Sequence, residues 1–284
     1  MRILVAILNF HQSDLLIDLI DNIKYQSVNN IIDIVIGDVQ PKEEEKDEIL
    51  KYISLCDDVK NIKYIEIDEN LGYAKGNNLI IKEMSNHYKY DYVVISNPDI
   101  TIKDENLIEN MILNLNKYDD CAVIGPKVKT PQGRQQGPYN KQVAIKYCLK
   151  YFFPVFWYPF WKYRENKITK YKEIRKVWRL IGAFMIVKMS DFERVKMFDE
   201  NTFLYWEEEI LSYKLLQINK YVYFDPNSEV LHLHGSNGKS TISKYDTDSM
   251  KYYFKLIGCT DFTVKMCENS VNFYNRICKI LGRN

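Results

Sequence analysis

The sequence predicts an α/β protein with a mostly parallel, Rossmann-like central sheet and helices on its faces. Short runs of apolar and β-branched residues recur along the first half of the chain, and stretches with helical period separate them. Such alternation is typical of parallel strands joined by crossover helices. The chain has 284 residues, 46% of them hydrophobic, which is enough to bury a sizeable core.

Five strands are predicted in the first half of the chain, each from one apolar run. They occupy residues 3–8, 31–36, 62–67, 92–95 and 121–124. Four helices are predicted between these strands. The first begins at Ser13, the second and third cover 42–55 and 73–84, and the fourth begins at Asp104. Ser13 and Asp104 are the expected N-caps, because their side chains can accept a hydrogen bond from the first helical turn. Residues 1–125 are therefore expected to form one nucleotide-binding-like α/β unit.

The pattern changes after Gly125-Pro126. A loop rich in Gly, Gln and Pro, at 131–138, leads into an aromatic and basic stretch at 143–164. Beyond it, a strand is predicted at 181–187 and a short helix capped by Ser190. A second helix is predicted at 207–219, and it is followed by two short strands at 221–224 and 230–233. We expect 126–240 to complete the same domain and 241–284 to form a C-terminal helical segment.

Composition and charge exclude several classes of protein. Lys and Arg number 39 and Asp and Glu number 38, so no strong field attracts nucleic acid, which is not expected as a partner. The six cysteines form no C-x-x-C pair, which disfavours a zinc ribbon or a disulfide scaffold and fits a reducing cytoplasm. The N-terminus does not resemble a signal peptide, and the longest aromatic and apolar stretch, 151–161, is too short to span a bilayer.

Polar residues follow three of the predicted strands. Asn9 and His11 follow the first strand, Asp38 the second, and Asn97 and Asp99 the fourth. In a doubly wound sheet these strand ends meet at one crevice, where a nucleotide would bind. Each residue taken alone is better explained as a turn former or a helix cap. Their recurrence at three strand ends favours a binding site.

A further candidate follows the third predicted strand. The segment from Asn70 to Asn78 enters a helix, and its backbone amides together with Lys75 are suited to hold a diphosphate. Asn70, Gly72, Lys75 and Asn78 are its candidate binding residues. The segment is not a P-loop, because the Gly-Lys-Ser/Thr ending is absent.

Several segments match a known family in order and spacing across about residues 3 to 240. They are Ala6-Ile7-Leu8-Asn9-Phe10-His11, Asn70 to Asn78, Asn97-Pro98-Asp99, Gly125-Pro126, Gly182-Ala183-Phe184-Met185, Phe198-Asp199-Glu200 and Phe203-Leu204-Tyr205-Trp206-Glu207-Glu208. Together they resemble inverting family 2 glycosyltransferases of the GT-A fold, especially the rhamnosyltransferase-like branch. The resemblance implies a nucleotide-sugar donor, a divalent cation and direct displacement at the anomeric carbon.

The resemblance also implies roles for the residues on the donor side. Asp99 matches the second aspartate of the family's Asp-x-Asp motif, which binds Mn²⁺ or Mg²⁺ at the donor diphosphate, and Asn97 replaces the first. A hard cation of this kind prefers carboxylate, water and phosphate oxygens. Asp38 matches the family's acidic residue that contacts the nucleotide base, although Val39 stands where Asn is usual. Asn9 is expected to help hold the nucleotide.

The run of glutamates at 207–209 lies at the family's Glu-Asp position. Glu208 would then be the general base that deprotonates the acceptor hydroxyl, with a glutamate in place of the usual aspartate. Because its side chain is longer by one methylene, a neighbouring acid, Glu207 or Glu209, is a candidate to share this role. Without the motif, the run is explained as an acidic first turn that complements the helix dipole.

Two histidines near the end of the match are candidate third metal ligands. His232 and His234 alternate on one predicted strand and therefore face the same side. Related GT-A enzymes place a histidine here, followed by Gly and Ser, as in Gly235-Ser236. His232 is the preferred candidate and His234 the next, while a buried histidine bonded to backbone is the alternative.

The stretch 146–164 interleaves aromatic residues with cations. Trp and Tyr suit a membrane interface, and Lys and Arg suit anionic lipid, which predicts peripheral membrane contact. The family's acceptors are often lipid-linked saccharides, which agrees with such contact. An acceptor-side hydrophobic core or a dimer contact explains the same stretch equally well.

The expected protein is thus a metal-dependent glycosyltransferase of bacterial surface polysaccharide synthesis, located in the cytoplasm at the inner face of the cell membrane. Its acceptor would be a saccharide, free or lipid-linked. One alternative is a sugar nucleotidyltransferase, which needs a Gly-rich basic loop after the first strand, where this chain has Asn9-Phe10-His11-Gln12. The other is an inactive membrane-associated binding protein with the GT-A fold.

Overall fold

A computed structural model describes residues 1–26, 31–56, 61–156, 159, 163, 170–233 and 241–282. Its strands are β1 (Arg2–Asn9), β2 (Ile31–Val39), β3 (Ile62–Ile67), β4 (Tyr92–Ser96), β5 (Ile100–Ile102), β6 (Cys121–Lys129), β7 (Gln135–Gln136), β8 (Arg175–Val177), β9 (Phe184–Lys188) and β10 (Tyr221–His232). Its helices are α1 (Ser13–Lys24), α2 (Glu43–Ser54), α3 (Tyr73–Ser85), α4 (Leu107–Asn116), α5 (Ala144–Phe152), α6 (Met189–Arg194), α7 (Glu207–Leu216), α8 (Lys244–Leu256) and α9 (Asp261–Ile280).

The strands form one mixed sheet in the order β3-β2-β1-β4-β9-β6-β10-β5, with β7 paired to β6 and β8 to β10. The first four strands in this order are parallel, as predicted. β9 then inserts antiparallel between β4 and β6, and β10 continues parallel to β6. The α/β class is confirmed, and the second half of the sheet is mixed.

Both faces of the sheet are buried under helices. Along β1, Ile3, Val5 and Ile7 pack into one apolar cluster with helices α1, α2 and α4. The alternate residues Leu4 and Ala6 pack into a second cluster with α3, α6 and α7. Because successive strand residues point to opposite faces, a strand buried on both sides is apolar throughout. This explains the unbroken apolar runs of the sequence.

Several predicted boundaries are wrong. Ser13 is the first residue of α1 rather than its cap, and its hydroxyl donates to Glu48 Oε2 at 2.7 Å. Helix α4 begins only at Leu107. The Asp104 side chain accepts from the Asn106 N–H in the turn that precedes the helix. Ser190 lies inside the first turn of α6, which Lys188 precedes as N-cap residue.

The two short strands predicted at 221–224 and 230–233 are one strand, β10. Its pairing with β6 changes register between Asp225 and Glu229. A bulge of this kind bends the strand and leaves residues unpaired, so the sequence pattern is interrupted while the strand continues.

The C-terminal helices share a third apolar cluster with α5. Tyr147 and Tyr151 of α5 are buried there against α8 and α9, together with Ile210 of α7. The Sγ atoms of Cys148 and Cys267 lie 3.3 Å apart within this cluster. The start of the aromatic stretch therefore belongs to a protein core, and the predicted helical C-terminus is confirmed.

The end of the aromatic stretch is different in character. Val155 and Phe156 are 80% and 84% exposed, and Phe153 is also exposed. Trp157 and Trp161 lie outside the described residues. In the part of the chain that the structure describes, no helix combines the length and apolar character needed to cross a bilayer.

Candidate functional site

The first group of candidate residues lies at the ends of β1 and β2, which pair Asn9 with Asp38. The Asn9 amide donates to Asp38 Oδ1 at 2.9 Å, and the Tyr64 hydroxyl donates to Asp38 Oδ2 at 2.8 Å. Asp38 is 1% exposed, and burial raises its pKa against these two hydrogen bonds. The Asn9 Oδ1 atom is buried and has no partner within the described residues. Asp38 is thus held rigidly where the strands end.

The segment after β3 is shaped by Gly72. Its φ is +78°, and a Cβ atom there would lie 2.1 Å from the backbone oxygen of Phe203. Only glycine avoids both the strained conformation and this clash. The close approach lets the Tyr73 N–H donate to the Phe203 oxygen at 2.9 Å, while Asn70 Oδ1 accepts from the Gly72 N–H at 3.0 Å. The turn before α3 is therefore joined to the loop before α7.

Asn78 and Lys75 differ sharply within α3. Asn78 is buried; its amide donates to the Phe198 oxygen and to Glu200 Oε1, both at 2.9 Å, and accepts from the Phe198 N–H at 3.1 Å. It fastens α3 to the loop at 198–200. Lys75 is exposed in the first turn of the helix, where an anion would meet the helix N-terminus. Binding of a nucleotide by Asn78 remains a prediction.

Asp99 and His232 meet where β10 pairs with β5, at the edge of the sheet opposite β3. Asp99 Oδ2 lies 3.2 Å from His232 Nε2, and both side chains are buried. The other ring nitrogen, Nδ1, lies 2.7 Å from Gln136 Oε1. Because an amide oxygen only accepts, Nδ1 carries the hydrogen, and in the neutral ring the Nε2 lone pair faces the Asp99 carboxylate. A cation bound to both atoms would resolve this opposition.

The donor set therefore fits a divalent cation. A histidine that ligates a metal ordinarily donates its other ring N–H to an oxygen, which is the arrangement of His232 and Gln136. Within the described ranges, no group of three His, Cys, Asp or Glu side chains converges, and Asp99 and His232 form a pair. Gln136 was not identified from the sequence, and His234 lies outside the described residues.

The three glutamates that begin α7 have different surroundings. Glu209 is buried in an ion pair with Arg179 at 2.9 Å and accepts from Trp178 Nε1 at 2.6 Å and from the Gln142 N–H at 2.9 Å. Burial raises its pKa, while the Arg179 charge opposes that shift. These contacts make Glu209 a structural residue in this conformation.

Glu207 is buried, and its own backbone N–H and the charge of Arg179 offset that burial only in part. Its Oε1 atom has no hydrogen-bond partner within the described residues. Burial, reinforced by the charge of Glu208, raises the pKa of Glu207 to about 8. Glu208 is only partly buried, and its Oε1 atom lies 2.2 Å from the position that a Cβ atom would take on Gly182. Of the three acids, Glu208 is the one that solvent and a substrate can reach.

Gly182 and Ala183 connect the parts of the site. The Asn97 N–H donates to the Ala183 oxygen at 2.9 Å, which joins the corner that carries Asp99 to this segment. The Tyr73 hydroxyl donates to the Gly182 oxygen at 2.7 Å, which joins α3. Since Gly182 also lies against Glu208, the Asp99 corner, helix α3 and Glu208 all converge on Gly182 and Ala183. The sequence motifs included Gly182 but did not show this function.

The start of α7 is set by two residues in the left-handed region. Tyr205 and Trp206 have φ of 71° and 73°, which is rare for residues with bulky side chains. The Trp206 indole donates to Asp246 Oδ1 at 2.7 Å, and burial raises the pKa of that carboxyl. Helix α8, which carries Asp246, thus holds the turn that aims the glutamates.

This geometry agrees with the comparison against protein families. The model of glycosyl transferase family 2 matches residues 4–196, which is more than half of the chain. The chain belongs to this family. The match runs from β1 through the Asp99 corner and the Gly182-Ala183 segment, and its last residues lie just beyond α6.

Two rhamnosyltransferases and one solved structure are similar to the chain. The N-acetylglucosaminyl-diphospho-decaprenol L-rhamnosyltransferase of Mycobacterium tuberculosis is 24% identical over 186 residues, which are 61% of this chain and 59% of that protein. Rhamnosyltransferase WbbL of Escherichia coli K12 is 23% identical over 192 residues, covering 66% and 70%. The mannosyltransferase PcManGT of Pyrobaculum calidifontis, solved with GDP-Man and Mn²⁺, superposes with a TM-score of 0.58 at 11% identity, covering 94% and 68%. This likeness confirms the GT-A fold.

Proposed function

We propose that this transferase moves a sugar from a nucleotide-sugar donor to a saccharide acceptor, free or lipid-linked, in bacterial surface polysaccharide synthesis. The observation that carries the proposal is the convergence of the Asp99 corner, α3 and Glu208 on Gly182-Ala183. A donor held by the first two would present its anomeric carbon to an acceptor beside the third. The two rhamnosyltransferases among the relatives support the rhamnosyltransferase-like branch.

The donor side of the site would hold the nucleotide. Asp38 and Asn9 lie at adjacent strand ends, where an α/β sheet binds nucleotides, and the carboxyl of Asp38 can accept from a base N–H. Gly72, Asn70 and the exposed Lys75 lie at the start of α3, where the positive end of the helix dipole and the ammonium would meet the diphosphate.

Asp99 Oδ2 and His232 Nε2 would hold the divalent cation, with Gln136 orienting the imidazole and Asn97 beside them as a neutral oxygen donor. When bound, the cation would offset the negative charge that develops on the leaving diphosphate. The burial of both ligands strengthens such an electrostatic interaction.

Glu208 would act as the general base. Its carboxylate would accept the proton of the acceptor hydroxyl while that oxygen attacks the anomeric carbon and the bond to the diphosphate breaks. A single displacement of this kind inverts the configuration at that carbon. Glu207 supports the role, because with its pKa at about 8 it is largely neutral at pH 7 and adds little negative charge beside Glu208.

The proposal is tested by donor binding and by turnover. A panel of UDP-, dTDP- and GDP-sugars with Mn²⁺ is expected to contain a donor that raises the melting temperature. EDTA or Asp99→Ala should abolish that rise. Glu208→Gln should keep it but lower turnover about 10²- to 10⁴-fold, because the base is lost and the donor site is not. A donor shift that is insensitive to both EDTA and Asp99→Ala would contradict the metal site, and normal turnover of Glu208→Gln would remove the base.

A location at the inner face of the cell membrane is part of the same proposal. The exposed apolar side chains of Phe153, Val155 and Phe156 project beyond α5, within the stretch that also carries cations. A lipid-linked acceptor presents its saccharide at such a surface. Contact there would bring the transferase to its substrate.

A further inference from the structure

A cleft that the proposed mechanism does not use lies on the side of the molecule that carries β8. Its volume is about 240 Å³, and it is lined by Tyr139, Asn140, Tyr171, Lys176, Val177 and Trp178. Three of the six lining residues are aromatic. The remaining walls are the amide of Asn140, the side chain of Lys176, whose ammonium is paired with Asp120, and the aliphatic side chain of Val177.

The chemistry of these walls matches a sugar ring. A pyranose has a face of C–H groups, which packs on aromatic rings, and a rim of hydroxyls, which needs hydrogen-bond partners. Tyr171 and Trp178 supply partly exposed rings, and the side chain of Asn140 is exposed to donate and accept. The cleft is small and accommodates one sugar ring rather than a nucleotide.

The cleft is structurally connected to the proposed base. The Trp178 indole donates to Glu209 Oε1 at 2.6 Å, and Glu209 directly follows Glu208 in α7. Trp178 also precedes Gly182 by four residues, which span at most about 14 Å. Because Gly182 lies against Glu208, the cleft lies within reach of a short oligosaccharide placed at the base.

Cations surround the aromatic rings. Lys141 Nζ lies 4.7 Å from the Trp178 ring centroid, and Arg175 Cζ lies 4.0 Å from that of Tyr171. Both cations are on exposed residues, so their side chains can move aside when a ligand enters. In place, they give the rim a positive charge that suits a sugar with a carboxylate or phosphate group.

We propose that this cleft binds a sugar of the acceptor other than the one that receives the transferred residue, so that the acceptor is an oligosaccharide. The inference rests on the proposed function, because it takes Glu208 to mark the reacting hydroxyl. It assigns to Tyr171 and Trp178 the recognition of acceptor length.

The test measures retention of the purified protein on an array of immobilised bacterial saccharides of one to six units. Wild type should bind members of two or more units, and Tyr171→Ala should weaken this binding about fivefold, since a stacked ring contributes roughly 1 kcal/mol. Tyr171→Phe keeps the ring and should bind as wild type does. Tyr25→Ala removes a tyrosine that is 71% exposed on α1's C-terminal side and serves as the matched control.

Retention of no oligosaccharide by wild type, or equal retention by wild type and Tyr171→Ala, would overturn the assignment. The donor-induced thermal shift, measured on the same preparations, separates this from the proposed function. A normal donor shift without saccharide retention overturns the cleft alone. Saccharide retention that depends on Tyr171, without any donor shift in wild type, overturns the transferase while the cleft stands.

Discussion

At the scale of single residues, three consecutive glutamates show how burial assigns different roles to the same side chain. Glu209 is neutralised by Arg179, Glu207 is buried with an unpartnered oxygen, and Glu208 is accessible beside Gly182. Helical geometry turns successive residues by about 100°, so neighbours in sequence face different surroundings. The motif identified the run, but only the fold distinguishes its members.

Glu207 should make stability depend on pH. Its pKa is about 8 in the folded protein and near 4.5 in the unfolded chain, so the folded state binds more protons between these values. The free energy of unfolding should therefore fall as pH rises from about 5 to 8, with a slope of at most about 1.4 kcal/mol per pH unit. Urea unfolding at several pH values should show a steeper fall for wild type than for Glu207→Gln. Parallel curves for the two proteins would show that the pKa of Glu207 is not raised by folding.

Gly182 should be sensitive to a single methyl group. In Gly182→Ala the new Cβ would lie 2.2 Å from Glu208 Oε1, so the carboxylate must move. Turnover should fall about 10²-fold, as expected for a displaced catalytic group, while the donor-induced thermal shift is kept. Gly133→Ala is the matched control, because its added methyl meets nothing within 4 Å. It should cost about 1 kcal/mol of stability from its positive φ and leave turnover unchanged. Equal turnover of both variants would refute the packing of Glu208 on Gly182.

The family resemblance named Asp99 and His232 together as candidate metal ligands, and the structure brings their side chains to 3.2 Å. The sequence could not predict Gln136 or the role of Tyr73. Gln136 acts through one hydrogen bond to His232, almost a hundred residues away along the chain, and Tyr73 acts through the backbone oxygens of Phe203 and Gly182. Contacts to backbone leave no signature in the residue type of the partner.

At the scale of elements, apolar periodicity predicted the long strands and crossover helices, since burial on a fixed face repeats with the period of the element. β5, β7 and β8 have two or three residues each and are too short for a period to develop. The predicted N-cap at Ser13 is wrong for a different reason. The Ser13 hydroxyl donates to Glu48, which belongs to another helix, and a rule based on neighbouring residues in sequence does not include such a partner.

In the aromatic stretch, helix α5 packs into a core, whereas the residues that follow it are exposed. Replacing Val155 and Phe156 by Ser should reduce flotation with vesicles of anionic lipid, because 80% and 84% of these residues are available to the bilayer. The melting temperature should not change, since no core contact is lost. Tyr25→Ser is the control, because Tyr25 is 71% exposed but lies outside the aromatic stretch, and this variant should float as wild type does. Undiminished flotation of the double variant would assign membrane contact to another surface or to none.

At the scale of the whole molecule, the C-terminal helices complete a core that begins in α5. A chain ending at residue 240 would uncover Tyr147, Tyr151 and Ile210, which are buried against α8 and α9. Because large apolar patches promote association, this shortened protein should aggregate or bind the dye ANS strongly. Size-exclusion chromatography and dye fluorescence provide the measurement, with a chain shortened only after Gly282 as control. A monodisperse, dye-free product would show that α8 and α9 are dispensable.

The insertion of β9 between β4 and β6 also governs the order in which the protein can be made. While the chain emerges from the ribosome, β4 and β6 are complete long before β9 is synthesised, so their facing edges stay unpaired. The backbone oxygen that receives the Asn97 N–H lies on the residue just before β9, and the Tyr73 hydroxyl bonds to the glycine before that. The proposed donor pocket and the proposed base are therefore joined only when this late strand closes the sheet. A chain in which β9 has not yet paired therefore lacks the segment that joins the Asp99 corner, α3 and Glu208.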